Sequence, residues 1–569
     1  MTEGLYAFGI KPKKVKEELS MSTKKVVCFI LIFSLALGLL LTGCSGSTQN
    51  QDTTKQGEQT SQQTKEESKS EPMKSSELSS PVEFSYLRPM FGPTTFQKGG
   101  AYEKLLFEKG NVKIETQIVG FLEYDQRLPV MIAGKNMPDV VWHNGPPDAI
   151  TFGLIEQGAF LPLNEYLDKY PAVKAAIPDF LWEKTKAPDG KNYFFPQPNY
   201  SYVPFPFAYR KDIFDEMGIS EPTTLDEFVS ALKKIKAKYP DKTMLTVDWY
   251  DLWAFQNLGP AFGFGFDNWV PDPSDPNPDN PAKIVPSFAT QNYKEMLAWF
   301  QMLRKEGLID PDFGIVSGPG GGDKFRAGNA IVAGGGIGFF DPKLCQQDLE
   351  KIIPDAKVAL MKPLQGPHGK MACTQLNGFN KGFSISSMAS DNADEIFKFL
   401  NWYYTDGYDL GYWGVEGEMY TVDANGKKSR IPNDKRKPEY KDESVQPLQF
   451  PGKYDDAGKV DWDQTERDYA AVNMTYMIPM LKTMYMEQTE NPLLNYDRLT
   501  YSKARAESWT KLNEQYILPM RNKLLIDPNA PLTMFDEAID NWLKNGGQLI
   551  IDEVNQNQKD KSKPIKPTP

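Results

Sequence analysis

The chain predicts an α/β protein of two domains or lobes, built from alternating strands and helices. Three observations carry this. Its 569 residues exceed what one compact core accommodates. Short β-rich runs alternate with amphipathic helical patterns along most of its length. The first of these runs read strand, helix, strand, the start of a parallel sheet.

In order, PVEFSYL (81–87) and NVKIETQIVG (111–120) alternate as strands, with a helix over 101–109 between them, and DVVW (139–142) is a short apolar strand. Thr224 and Glu227 form a capping box ahead of Leu225, Phe228, Val229, Leu232 and Ile235, which share one helical face. Tyr293, Met296, Leu297, Phe300 and Leu303 make a second such helix, ended near Gly307. A third follows Asp391, with Ala393, Ile396, Phe397, Leu400 and Tyr404 on its face. These stripes are core. The stretch 422–464 reads as turn-rich hairpins, with Asn425-Gly426 as a strong turn signal.

The ends are different. Lys24 and Lys25 precede the apolar run VVCFILIFSLALGLLL (26–41), too short for a membrane-spanning helix at about 20 residues but right for the core of a secretory signal. Glu17 and Glu18 are odd ahead of a signal, so Met21 makes the better start. Residues 44–81 are Ser, Gln, Thr, Lys and Glu with almost nothing to bury, a flexible tether whose ends lie on the order of 35 Å apart. The polar, Lys/Pro-rich tail 555–569 is expected to be disordered.

A net charge of -11 excludes the clustered basic surface that nucleic acid requires. With only His143 and His368, and no HExxH or CxxC spacing, a zinc site has no support. The glycine runs SGPGGGDK and AGGGIGFF lack the Gly-Lys-Ser/Thr ending of a phosphate loop. DPNPDN sets Asp275, Asn277 and Asp279 at the first, third and fifth positions of a calcium loop. Asn280 then replaces the turn glycine and Pro286 the bidentate Glu, so a Pro-rich surface turn is the better reading and no metal is expected. Cys345 and Cys373 allow a disulfide or two buried thiols.

Leu41-Thr42-Gly43-Cys44 resembles the lipobox of bacterial lipoproteins. That resemblance implies diacylglyceryl transfer to the Cys44 thiol and cleavage of residues 1–43; the plain alternative is an ordinary signal with a chance cysteine. Over about 85–420, MPDVVW (137–142), GLIEQGAFLPLNEYL (153–167), DGKNYFFP (189–196), YRKDIFDEMGISEPTTLDEF (209–228), RKEGLIDPD (304–312), FRAGNAIV (325–332) and FKFLNWYYTDGYDLGYWGVEGEMY (397–420) follow one another as in family 1 of the extracellular solute-binding proteins of ABC importers, in its large Gram-positive lipoprotein branch. Two stretches depart from the family pattern: Pro129 interrupts the helix before MPDVVW, and 422–464 matches none of its motifs.

The resemblance implies a type II two-lobed fold, each lobe a sheet flanked by helices and joined to the other by hinge strands, with residues 82–205 and 380–440 in lobe 1 and 206–379 and 441–554 in lobe 2. The chain would cross between lobes near 200–208 and 374–383. It also implies a monomer on the outer face of the cell membrane that binds an oligosaccharide and works with ABC permease subunits, with no catalysis and no cofactor. A sugar packs its C–H face on a flat aromatic ring and its hydroxyls on polar edges. Trp142, His143 and Asn144, Tyr202, the run Trp249, Tyr250, Asp251 and Trp253, and Trp413 with Glu416 offer that mixture, against the alternative that the aromatics are core. A surface polysaccharide-processing enzyme would use the same cleft plus two facing carboxylates, and a sensing co-receptor would use it without transport.

Overall fold

The computed structural model describes residues 80–90, 94–143, 149–198, 207–247, 258–265, 269–277, 282–313, 320–334, 342–371, 379–453, 462–470, 473–482 and 502–557. The signal, Cys44, nearly all of the tether and most of the tail lie outside them. All the described residues belong to one compact unit, Lys74–Pro569.

Strand β1 (Val82–Met90) pairs in parallel with β2 (Val112–Gly120), from Val82↔Val112 to Met90↔Gly120, and the helix Ala101–Gly110 connects them. Both strands alternate buried and exposed at their amino ends, as one-sided burial requires. β3 (Val140–His143) lies parallel to β1 on its other side and is buried at every position. β4 (Phe195–Pro198) completes the first sheet through β11 (Phe379–Ile385), which runs antiparallel to both β3 and β4, giving the order β2-β1-β3-β11-β4. The β-α-β start thus leads to a mixed sheet with one reversed strand.

The second sheet has the order β10-β5-β9-β6. β5 (Phe207–Arg210) is antiparallel to β9 (Ala330–Gly334) and β10 (Val358–Leu360), while β6 (Thr243–Val247) is parallel to β9. A small ribbon pairs β7 (Trp269–Pro271) with β8 (Ile284–Pro286).

Helix ends follow the local chemistry. Thr224 Oγ1 accepts from the Glu227 amide at 3.1 Å and the Glu227 carboxylate accepts from the Thr224 amide at 3.3 Å, so two otherwise orphaned donors at the start of Leu225–Lys238 are satisfied. The helix Gln291–Lys305 starts at Thr290, whose hydroxyl accepts from the Tyr293 amide, and the chain turns away at Gly307 with φ +61°. Ala393–Tyr404 buries Phe399, Trp402 and Tyr403 besides the predicted stripe, because it is packed on more than one side. Phe121–Ala133 runs through Pro129 rather than stopping there, giving up one i→i−4 hydrogen bond.

Two separate apolar cores result. One draws on residues 82–195 and 379–450, the other on 207–371 and 469–554. Along the chain, core membership changes between Phe195 and Phe207, between Met371 and Phe379, and between Phe450 and Tyr469. Val445, Leu448 and Phe450, which the resemblance assigned to lobe 2, belong to the first core.

Among its described residues, the stretch from 422 holds one hairpin, β12 (Tyr420–Val422) with β13 (Lys428–Arg430), turned at Gly426 (φ +79°); from Pro432 to Leu448 come short helical turns, where Pro432, Pro438 and Pro447 lack the amides a ladder needs, and 454–461 lie outside the described residues. The last helix, Gln548–Asn557, extends into the expected tail: Asn555 Oδ1 accepts from the Ile284 amide and its Nδ2 donates to the Ile284 carbonyl, each at 2.8 Å, which fixes it to β8. Cys345 is buried in the second core, and Cys373 lies outside the described residues.

Candidate functional site

Ligands of open α/β sheets sit beyond the carboxyl ends of the strands. In the first sheet that end carries Met90, Gly120, His143 and Pro198, with Phe379 of the reversed strand beside them. The register Leu87↔Val141 sets Arg88 opposite Trp142 on one face, and Trp142 pairs with Phe383. Lys381, on the same face one alternation nearer the edge, pairs with Gln197.

The Arg88 guanidinium lies 5.1 Å from the Trp142 ring centroid, and its Nη1 donates to the Gln449 carbonyl at 2.8 Å and to the Gln446 carbonyl. Lys381 is half-buried; burial, and next the Arg88 charge, hold its ammonium below the usual lysine range. Burial raises the Tyr86 hydroxyl to about 12, with Arg88 opposing. Gln197 Oε1 is sealed from solvent and accepts no hydrogen bond.

Trp142 and His143 do not sit as the open ligand contacts the sequence suggested. Trp142 is 4% exposed and packed in the first core with one face covered by Arg88. His143 Nε2 is 2.9 Å from Ser384 Oγ, and its ring lies against Phe160 and Phe194. The physical reason is position: β3 is an interior strand covered on both faces, so its side chains are core up to the strand end. Asn144, Tyr202, Trp249, Tyr250, Asp251 and Trp253 lie outside the described residues. In sequence the WYDLW run directly follows β6, at whose carboxyl end Val247 pairs with Gly334.

Trp413 is placed differently. It ends a π-helical turn, Asp409–Trp413, closed by the Gly414 amide donating to the Asp409 carbonyl at 2.8 Å, with Gly414 at φ +95°. Such turns re-aim a side chain out of the regular helical repeat and recur at functional sites. The ring is half-buried; Arg430 stands 4.8 Å from its centroid, Lys428 6.0 Å, and Tyr420 5.9 Å. Glu416 is exposed and its backbone bridges to Tyr420. Sequence reasoning missed Arg88 over Trp142, Arg430 and Lys428 beside Trp413, and Lys381 in the first sheet. For Arg88 and Lys381 a signal existed: Arg88 in SYLRPM and Lys381 in FNKGFSI each fall on the buried parity of an otherwise apolar strand.

The expected Pro-rich turn is held by its own side chains. Asp275 accepts from the amides of Asn277, Ala282 and Lys283, and Asp279 lies outside the described residues. Among the described residues no three His, Cys, Asp or Glu side chains are grouped to hold a metal.

The family model described as bacterial extracellular solute-binding protein matches residues 92–409. The polygalacturonan/rhamnogalacturonan-binding protein YtcQ of Bacillus subtilis (strain 168) is 23% identical over 553 residues, 93% of this chain and 97% of its own. The lipoprotein LipO of the same organism is 22% identical over 480 residues, 83% of this chain and 91% of its own. Among solved structures, the alginate-binding protein AlgQ2 without calcium ion aligns with a TM-score of 0.65 at 19% identity, covering 84% of this chain and 98% of that one. The Streptococcus pneumoniae substrate-binding protein FusA in complex with kestose gives 0.61 at 17%, covering 83% and 98%. These likenesses extend the type II solute-binding fold over both sheets.

Proposed function

Since the chain belongs to the bacterial extracellular solute-binding protein family, we propose that it captures an oligosaccharide between its two lobes and delivers it to ABC permease subunits. No bond is made or broken; the ligand's extra contacts in the closed arrangement shift the population toward it. The observation that carries the carbohydrate reading is Trp413, a half-buried ring brought out by a π turn with exposed Glu416 three residues on, the pairing of flat apolar wall and polar edge that a sugar needs. Relatives named for polygalacturonan, fructooligosaccharide and melibiose binding support it. Asn144, Tyr202, Trp249, Tyr250, Asp251 and Trp253 are proposed as further contacts; Trp142 is proposed as a support for Arg88.

A ligand that binds only the native state raises its melting temperature. A sugar library screened by thermal shift is expected to yield such a rise, and Trp413→Ala to weaken the responding sugar by roughly 10-fold or more, since a stacked ring contributes on the order of 1–3 kcal/mol in comparable aromatic platforms. A response confined to amino acids or peptides would sink the carbohydrate reading.

The protein is further proposed to be a lipoprotein held outside the membrane through Cys44, with residues 45–81 as its tether. LipO, a relative named as a lipoprotein, supports this. Mass spectrometry of the mature amino terminus is expected to find a diacylated Cys44; an unmodified different residue there refutes the anchor.

A further inference from the structure

The π turn that presents Trp413 is gripped at both ends by one short strand. Lys428 and Arg430 stand two residues apart on β13, which puts them on the same face. Lys428 Nζ pairs with the carboxylate of Asp409, the first residue of the turn. Arg430 Nη2 donates at 3.0 Å to the carbonyl of Tyr412, its last residue but one, and Gln449 Nε2 donates to the same oxygen at 3.3 Å. Carbonyls at the end of a helical turn lack partners within it, so Arg430 caps the turn. The same guanidinium lies 4.8 Å from the Trp413 ring centroid and 5.0 Å from that of Tyr412, two rings set edge to face at 86°. A planar cation attracted by both rings fixes the angle between them. Arg430 is itself anchored: it pairs with Tyr420 in the ladder, and the next amide, of Ile431, donates to the Met419 carbonyl at 2.9 Å.

We infer that Arg430 is a positioning residue for solute capture, holding the Trp413 ring in the orientation on which a sugar stacks. The inference rests on the carbohydrate reading above and adds what sets the geometry of its platform. A ring ordered on folding loses no rotamer freedom on binding, so a residue that never touches the sugar raises affinity through it. The hairpin that carries Arg430 runs into the stretch 422–464, which departs from the family motifs, so this grip belongs to the present chain's own sequence.

The test has a readout that needs no ligand. The mature chain is labelled with 5-fluorotryptophan, and the fluorine resonance of Trp413 is identified as the one lost in Trp413→Phe. In Arg430→Met, which keeps the stem but neither charge nor donors, that resonance is expected to shift and broaden at an unchanged melting temperature. In Arg430→Lys, which keeps a cation beside the rings, it should stay near its original position. Arg430→Gln repeats the measurement if the methionine variant melts early. Kestose, raffinose and trigalacturonic acid are then titrated by calorimetry, and the tightest of them is expected to weaken about three- to tenfold in Arg430→Met, as the freeing of one side chain requires. Arg430→Lys should recover most of that loss, and in a Trp413→Ala background Arg430→Met should cost nothing further. An unchanged Trp413 resonance in Arg430→Met, or an equal loss of affinity with and without Trp413, overturns the inference. If neither these three sugars nor any of the screened library binds, the carbohydrate reading falls, and the resonance alone decides whether Arg430 holds the ring.

Discussion

Gly382→Ala is expected to destabilise the first lobe by about 3 kcal/mol or more, read as a fall of roughly 6–12 °C in its melting temperature for a unit of this size. Gly382 sits in β11 between β3 and β4, paired with His143 on one side and Pro196 on the other. A Cβ built there would stand 2.0 Å from the Phe195 carbonyl oxygen and 2.4 Å and 2.6 Å from two carbons of the Phe194 ring. A ring can swing away; a ladder carbonyl cannot without unzipping β4. The alternative outcome is informative: an unchanged melting temperature would mean that β11 and β4 are further apart than this pairing places them, and with them Lys381 and Gln197. Differential scanning calorimetry of the variant decides it.

That strand also marks the limit of what could be read from the chain. Elements whose side chains follow a period were legible: the alternation of β1 and β2, the capping box at Thr224 and the stripe of Gln291–Lys305 each state their own structure. β11 was legible only as a crossing implied by resemblance, because FNKGFSI joins the sheet antiparallel from far away in sequence and carries a lysine on its buried side. For Trp142 the sequence left ligand contact and core both open, and its burial is decided by tertiary packing too. The end of a strand marks the mouth of a cleft only if its neighbours stop there too, and Arg88 reaches across that end from β1. Trp413 was singled out by the glycines around it, but the π turn that aims it and the cations beside it come from contacts with β12 and β13 that no local pattern announces. Registers and returns are set by tertiary packing, which the local sequence does not encode by itself.

The return segment 441–450 shows the consequence for stability, and Phe450→Ala is expected to cost about 3–5 kcal/mol. Its apolar residues Val445, Leu448 and Phe450 have neither strand nor helix period and lie among prolines, so they look like loop. Yet Phe450 is 3% exposed, stacked on Tyr86 at 4.9 Å and set edge-on to Phe84, Phe383, Phe399 and Tyr403 at 5.0–6.0 Å. The Tyr403 hydroxyl donates to its carbonyl at 2.6 Å, Thr116 Oγ1 donates to the Pro447 carbonyl, and Arg88 donates to those of Gln446 and Gln449. One aromatic ring thus bridges β1, β11 and the helix Ala393–Tyr404, and the carbonyls around it orient the guanidinium at the edge of the cleft. Truncating it leaves a cavity that rigid neighbours on three elements cannot close, while Phe450→Leu, which keeps most of the volume, should lose markedly less. Hydrogen exchange is the sharper measurement. If 441–450 is an integral part of the first core, Phe450→Ala should raise exchange in β1 and β11 along with the segment itself. Faster exchange confined to 441–450 would instead mean a strap lying on a lobe that is already complete, and the control of Arg88 by its carbonyls would fall with it.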